Sequence, residues 1–205
     1  MARQTAISIN TIPIGPLGII GMPGCEGLTD KIDQYLVKWR KTQASEHAES
    51  IAFFGYQRDT YKIDVSIPRF GSGEGKGVIN ESVRGYDIYI VCDVFNYSCS
   101  YDMYGRKVYM SPDDHFADLK RVISALCSKP KRVSVIMPML YEGRQHKRSS
   151  RESLDCAMAL KELVHLGVEN IITFDAHDQR VQNAIPDKSF ENVMPTYQMI
   201  KALVN

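Results

Sequence analysis

Asp87–Val94 reads DIYIVCDV and is apolar at nearly every position. A strand with one face in water alternates apolar and polar residues. An unbroken run like this one marks a strand covered on both faces, as in a parallel sheet held between helices. Downstream, His115–Cys127 carries Phe116, Leu119, Val122, Ile123 and Leu126 on one face, which predicts an amphipathic helix. Val133–Met137 is a second buried strand. Ser153–Leu166 repeats the helical spacing through Leu154, Ala157, Met158, Leu160, Leu163 and Val164, and Gly167 stands where a C-cap belongs. Asn170–Phe174 is the next strand, and Pro195–Val204 reads as a last helix. Strand and helix thus alternate with short joins from residue 86 onward, the pattern of a mostly parallel sheet with helices on its faces.

Upstream the signals are shorter. Leu17–Met22 is an apolar run ending in a Pro-Gly turn, read as a buried strand. Leu28–Trp39 places Leu28, Ile32, Tyr35, Leu36 and Trp39 at helical spacing. Lys41–Thr60 is polar with an aromatic patch (Phe53, Phe54, Tyr56) and is the least assignable part. Ile63, Val65 and Ile67 alternate as a half-exposed strand. With a second short strand at Val78–Asn80, across a glycine-rich turn, they predict a hairpin leaving the main body. No linker interrupts the 205 residues, so one domain is expected, large enough to fold without disulfides or metal.

A formal net charge of +1 gives no global attraction for nucleic acid or membrane surfaces, so basic chemistry must be local. The five cysteines are odd in number and scattered, with no C-x-x-C pair. That argues against a disulfide framework or structural zinc and suits a reducing cytoplasm. The apolar stretch Ile7–Met22 is broken by Pro13 and Pro16 and fits neither a signal peptide nor a membrane span.

In open parallel sheets, ligands bind beyond the carboxyl ends of the strands, which points to the residues after Met137 and Phe174. Gly143–Arg151 (GRQHKRSSR) gathers Arg144, His146, Lys147, Arg148 and Arg151 ahead of a helix N-terminus. Guanidinium forks and a helix dipole there suit a polyphosphate, against the plainer reading of a solvated basic loop. Phe174–Asp178 (FDAHD) ends a strand, and on an extended backbone Asp175 and His177 would both face the crevice. Such a pair can orient an imidazole or bind a cation through water; the plainer reading is a capping Asp beside a surface His. Arg69–Gly77 (RFGSGEGKG) matches neither the dinucleotide fingerprint nor the Walker loop. It reads as a mobile hairpin tip, except that an exposed Phe70 could stack on a base.

Taken in order, these segments resemble the phosphoribosyl pyrophosphate synthetase (ribose-phosphate diphosphokinase) family. Its R-F-S-D-G-E hairpin is matched by RFGSGE at Arg69–Glu74, and its V-R-G-x-D-V-x-I-x-Q strand by VRGYDIYIVCD at Val83–Asp93. Its proline-containing strand end, with Y-A-R-Q-D and a basic loop, is matched by MPMLYEGRQHKRSSR at Met137–Arg151, and its I-T-M-D-L-H-A by ITFDAHD at Ile172–Asp178. The opening GIIGMPGCEGLTDKIDQYL also resembles the family's first strand and helix, with an apparent insertion around Arg40–Thr60.

The resemblance implies a three-layer α/β fold of the type I phosphoribosyltransferase kind with a short projecting hairpin. It implies assembly into dimers and hexamers, and transfer of the β,γ-pyrophosphoryl group of MgATP to ribose 5-phosphate. On the same basis Arg144 and Gln145 would hold ATP or ADP, Arg144, Arg151 and His177 would carry catalysis, and His177 with Asp175 would meet Mg²⁺. Phe70, Ser72 and Glu74 would reach the adenine pocket of a neighbouring subunit. Several positions depart from the family's pattern: Ser72 replaces an acidic or amide residue, His146 an Asp, Glu142 a Tyr, and Ser153 a Pro. The basic loop is one residue shorter, and nothing here resembles the family's ribose 5-phosphate loop. Residues 1–205 are therefore expected to be the N-terminal domain alone, handling nucleotide but inactive by itself. The alternative is a non-catalytic, regulatory subunit acting by co-assembly.

Overall fold

The computed structural model describes residues 13–46 and 57–204. Its elements follow in the order β1 (Leu17–Gly21), α1 (Glu26–Glu46), β2 (Val65–Ser66), β3 (Val78–Ile79), β4 (Asp87–Val91), β5 (Ser100–Met103), β6 (Arg106–Tyr109), α2 (Pro112–Ala125), β7 (Arg132–Met137), α3 (Asp155–His165), β8 (Asn170–Phe174), a 3₁₀ helix at Gln179–Ala184, β9 (Ser189–Val193) and α4 (Thr196–Val204). β1, β4, β7, β8 and β9 form one parallel sheet in that order.

The two faces are set by the alternation along each strand. Ile88, Ile90, Val133, Val135, Met137 and Ile171 point into one core with Phe116, Leu119 and Val122 of α2 and Leu160 and Leu163 of α3. Ile19 and Val91 point the other way, toward Ile32, Leu36 and Val37 of α1. The reason α1 lies on the opposite face is a reversal of direction. Tyr61–Ile63 pairs in parallel with the outer edge of β1, through Ile19 N to Tyr61 O and Ile63 N to Ile19 O at 2.8 Å each. The chain therefore winds outward from β1 first and returns across it to β4. Right-handed crossovers taken in opposite directions place their helices on opposite faces.

At that reversal, between the carboxyl ends of β1 and β4, the chain's own loops close the crevice. Asp93 N donates to Cys25 Sγ at 3.0 Å, and Asn96 Nδ2 to Gly24 O at 3.0 Å. Burial pushes the Cys25 and Cys156 thiols up to about 11, so both behave as packing groups rather than nucleophiles. All five cysteines are free.

Several elements differ from the reading of the sequence. α1 runs on to Glu46, because Lys41–Glu46 contains no helix breaker. Its inward face also differs: Tyr35 is 69 % exposed, whereas Thr29 and Asp33 are buried. Asp33 accepts from Tyr61 N at 2.7 Å and Thr60 Oγ1 at 2.9 Å, so a polar residue turns inward to pin the strand segment beside β1. The aromatic patch Phe53, Phe54 and Tyr56 lies outside the described residues. The β5–β6 hairpin was not anticipated; its two-residue turn, Tyr104 and Gly105, has both φ angles positive, as a mirror-image turn requires. β9, an edge strand with alternate residues exposed, was likewise missed. Among the described residues no helix is long and apolar enough to cross a membrane.

Candidate functional site

Two connections meet at the carboxyl end of the sheet. The first leaves β7 through Pro138–Leu140. Tyr141 stacks on Phe116 of α2, ring centroids 4.3 Å apart, and its hydroxyl donates to Asp113 Oδ1 at 2.6 Å. The chain then doubles back through Glu142, whose φ is +54°, and closes a tight turn by Gln145 N to Glu142 O at 2.9 Å. The Gln145 amide nitrogen donates to Ser153 O at 2.7 Å, fastening the turn to the residues before α3. The second connection leaves β8. Phe174 N donates to Pro138 O, and Ala176 N to Asn192 Oδ1 at 2.9 Å. Asp178 caps the 3₁₀ helix by accepting from Arg180 N.

Between them lies a cavity of about 560 Å³, within the range that encloses small ligands. Phe95, Met139, Leu140 and Phe174 contribute apolar lining, and Glu142, Arg144, Asp175 and His177 contribute polar lining. Arg144 and His177 belong to different sequence segments, and the fold brings both to this one cavity. Asp175 is there too, but on a backbone other than the extended one expected. Its φ is +47°, so the turn after β8 is left-handed, and it is this twist rather than strand alternation that places both side chains on the cavity.

The remaining anticipated residues lie elsewhere. Gln145 is committed to Ser153, and Arg151 stands exposed on the loop ahead of α3, outside the cavity wall. Phe70 is 58 % exposed at the hairpin tip, and Ser72 Oγ donates to Glu74 Oε2 at 2.7 Å. The base of that hairpin is not free. Arg69 pairs with the buried Asp118 of α2 at 2.5 Å and lies over Tyr101 of β5, 4.3 Å from its centroid. A Cβ at Gly77 would meet the Arg121 backbone at 2.7 Å, so only glycine lets β3 approach α2 this closely.

Burial, with Asp155 and Asp113 nearby, raises the Glu142 carboxyl above the usual range. The Arg180 guanidinium and backbone N–H hold Asp178 well below it. Among the described residues no group of three or more His, Cys, Asp or Glu side chains is set to hold a metal ion directly. Mg²⁺ needs no such cage, since it keeps several waters and is completed by one or two carboxylates and substrate phosphates. Of the two residues expected to meet the ion, Asp175 supplies a carboxylate to the cavity lining and His177 an imidazole rather than an oxygen ligand.

Sequence reasoning did not single out Phe95, Met139 or Leu140 of the apolar lining. The same strand-end rule that marked the residues after Met137 and Phe174, applied to β4, would have reached Phe95.

The comparisons with known proteins agree with this architecture. Residues 17–167 match the N-terminal domain of ribose phosphate pyrophosphokinase, and the chain belongs to that family. Ribose-phosphate pyrophosphokinase 1 of Schizosaccharomyces pombe is 28 % identical over 138 residues, covering 66 % of this chain and 30 % of its own length. The ribose-phosphate pyrophosphokinase of Vibrio parahaemolyticus is 26 % identical over 136 residues, 65 % of this chain and 38 % of its own. The crystal structure of phosphoribosylpyrophosphate synthetase from Mycobacterium smegmatis superposes with a TM-score of 0.66 at 18 % identity, over 91 % of this chain and 51 % of that one. The chain thus spans about a third of the length of these curated relatives.

Proposed function

We propose that this chain is the nucleotide-handling N-terminal part of a ribose-phosphate diphosphokinase, a cytoplasmic enzyme of nucleotide biosynthesis. The observation that carries the reading is that Arg144 and His177, from two family motifs far apart in sequence, line one cavity. A nucleotide has a flat, weakly polar base and a polyanionic tail, and the cavity lining includes both apolar and charged residues. Arg144 would pair with phosphate oxygens through its guanidinium fork. His177 would donate to a further phosphate oxygen, and Asp175 would face the waters of a phosphate-bound Mg²⁺. That ion, when bound, would neutralise charge on the transferring group. Catalysis of pyrophosphoryl transfer then rests on alignment and charge placement rather than on covalent chemistry by the protein.

Ribose 5-phosphate would be received by a second domain, so these residues alone are proposed to bind ATP or ADP without turnover. Phe70, Ser72 and Glu74 would serve the adenine pocket of a neighbouring copy in a dimer or hexamer; the exposure of Phe70 supports this. The alternative, a regulatory subunit acting by co-assembly, is favoured by one feature: Glu142 places a carboxylate in the cavity where phosphates would lie.

The test is calorimetric titration with ADP and ATP in the presence of Mg²⁺. Binding is expected, with Arg144→Ala and His177→Ala each weakening it about tenfold or more, the loss of a charge-assisted contact. Binding unchanged in the double variant would remove the site assignment. A folded chain with no nucleotide affinity that still assembles would favour the regulatory reading.

A further inference from the structure

Arg144 lines the cavity from the tight turn after Tyr141. Among the described residues no other group bonds its guanidinium, so the backbone of the turn sets where it points. That backbone is anchored at both ends. Tyr141, at its start, stacks on Phe116 and donates to Asp113 of α2. Gln145, at its end, meets the start of α3 twice. Its side-chain Nε2 donates to Ser153 O at 2.7 Å, and its own carbonyl oxygen accepts from Cys156 N at 3.3 Å.

The second of these bonds makes up for something α3 lacks. A helix N-cap residue ordinarily offers a side-chain oxygen to a backbone N–H of the first turn. In α3 that position is Leu154, which has no such oxygen and makes no side-chain cap bond. The hydroxyl of Ser153, one residue earlier, is committed to Asp155 Oδ2 at 2.5 Å. Cys156, in the first turn, is fully buried, so water does not reach its amide. A buried N–H needs a partner, and the Gln145 carbonyl supplies it from another segment. Turn and helix therefore hold each other through one residue.

We propose that Gln145 is the positioning residue for Arg144, acting by fastening the turn to α3, and is not itself a nucleotide contact. The family resemblance gives Gln145 to the nucleotide. Here its side-chain donor is directed at Ser153 O, and it is absent from the cavity lining. The functional consequence rests on the nucleotide reading of the cavity. A residue that acts only by placing another loses its effect when that other residue is removed, whereas two independent contacts give additive losses.

The test uses Gln145→Met, which keeps the side chain's length and removes its donor, with Gln145→Glu in its place should the methionine variant not fold. The first readout is amide hydrogen exchange followed by NMR. The Gln145 and Cys156 amides are expected to exchange about tenfold faster in the variant, the scale of one lost hydrogen bond, while those of Leu160 and Leu163 deeper in α3 stay as they were. The second readout is the affinity for ADP with Mg²⁺ in wild type, Arg144→Ala, Gln145→Met and the double variant. Gln145→Met is expected to weaken binding about fivefold on its own and to add nothing in the Arg144→Ala background. Gln145→His, whose ring nitrogen can donate toward Ser153 O, is expected to retain more affinity than Gln145→Met. Unchanged exchange at both amides would overturn the proposal, and so would ADP losses that add. The exchange readout does not depend on nucleotide. Faster exchange at the two amides in a chain that binds no ADP would leave the fastening of the turn standing and the nucleotide reading refuted; ADP binding with additive losses would do the reverse.

Discussion

Glu142 and Asp175 are non-glycine residues held at positive φ, and both line the same cavity. Left-handed backbone is unfavourable for residues with a Cβ and persists where surrounding structure enforces it, which is common at ligand sites. Here Tyr141, stacked on Phe116 and bonded to Asp113, and Gln145, bonded to Ser153, enforce it at Glu142. The carboxylate so placed is disfavoured as an ion: burial first, then Asp155 and Asp113, raise its titration. A carboxyl raised in the folded state stabilises most at low pH, and that stability is lost as pH rises through the folded value. Glu142→Gln escapes the loss. It is expected to raise the melting midpoint by roughly 2 °C at pH 7, the scale of a sub-kilocalorie change in a chain of this size, with the gain shrinking toward pH 4. If the cavity receives nucleotide as proposed, the same variant should bind ADP more tightly, since one like charge would no longer face the phosphates. A melting gain as large at pH 4 as at pH 7 would show that ionisation of Glu142 is not its cause.

At the scale of elements, the glycine-rich hairpin is a presented structure and not a loose loop. Its base is latched by Asp118, which is 2 % exposed and accepts from Arg69 at 2.5 Å and from Arg121 at 2.6 Å. Burial raises the Asp118 carboxyl, and the Arg121 and Arg69 guanidinium groups oppose that rise. Removing one member of a buried ionic cluster leaves the others uncompensated. Asp118→Ala is expected to cost about 3 kcal/mol in urea unfolding, at the low end of the buried-pair range because Arg121 stays partly solvated. The hairpin at 69–77 should also become a site of early proteolysis. An unchanged unfolding midpoint would mean that the latch contributes nothing net.

Over the whole molecule, the sheet and its two covering layers account for the core, and α4 stands apart from it. None of the residues of α4 is buried; Leu203 is 86 % exposed, Tyr197 71 % and Ile200 57 %. Exposed residues without such contacts change stability by less than about 0.5 kcal/mol when replaced. Ending the chain after Met194 is therefore expected to leave the monomer's melting midpoint nearly in place, by calorimetry at low protein concentration. A large fall would mean that α4 docks on the domain.

The sequence determined the parallel sheet, because buried strands such as Asp87–Val91 must be apolar on both faces and the helices between them carry one apolar stripe. It also determined the three motif segments, since Arg144, His177 and Phe70 are unusual residues beside strand ends or glycines. What it left open were features made by contacts between distant segments. The inward turn of Asp33 follows from the hydrogen bond it accepts from the Tyr61 amide, the left-handed turns at Glu142 and Asp175 from packing around them, and the pairing of His146 with Asp178 from two loops on adjacent strands. Periodicity records which side of its own element a residue occupies. Which other element that side meets is decided only when the sheet order brings β4, β7 and β8 together.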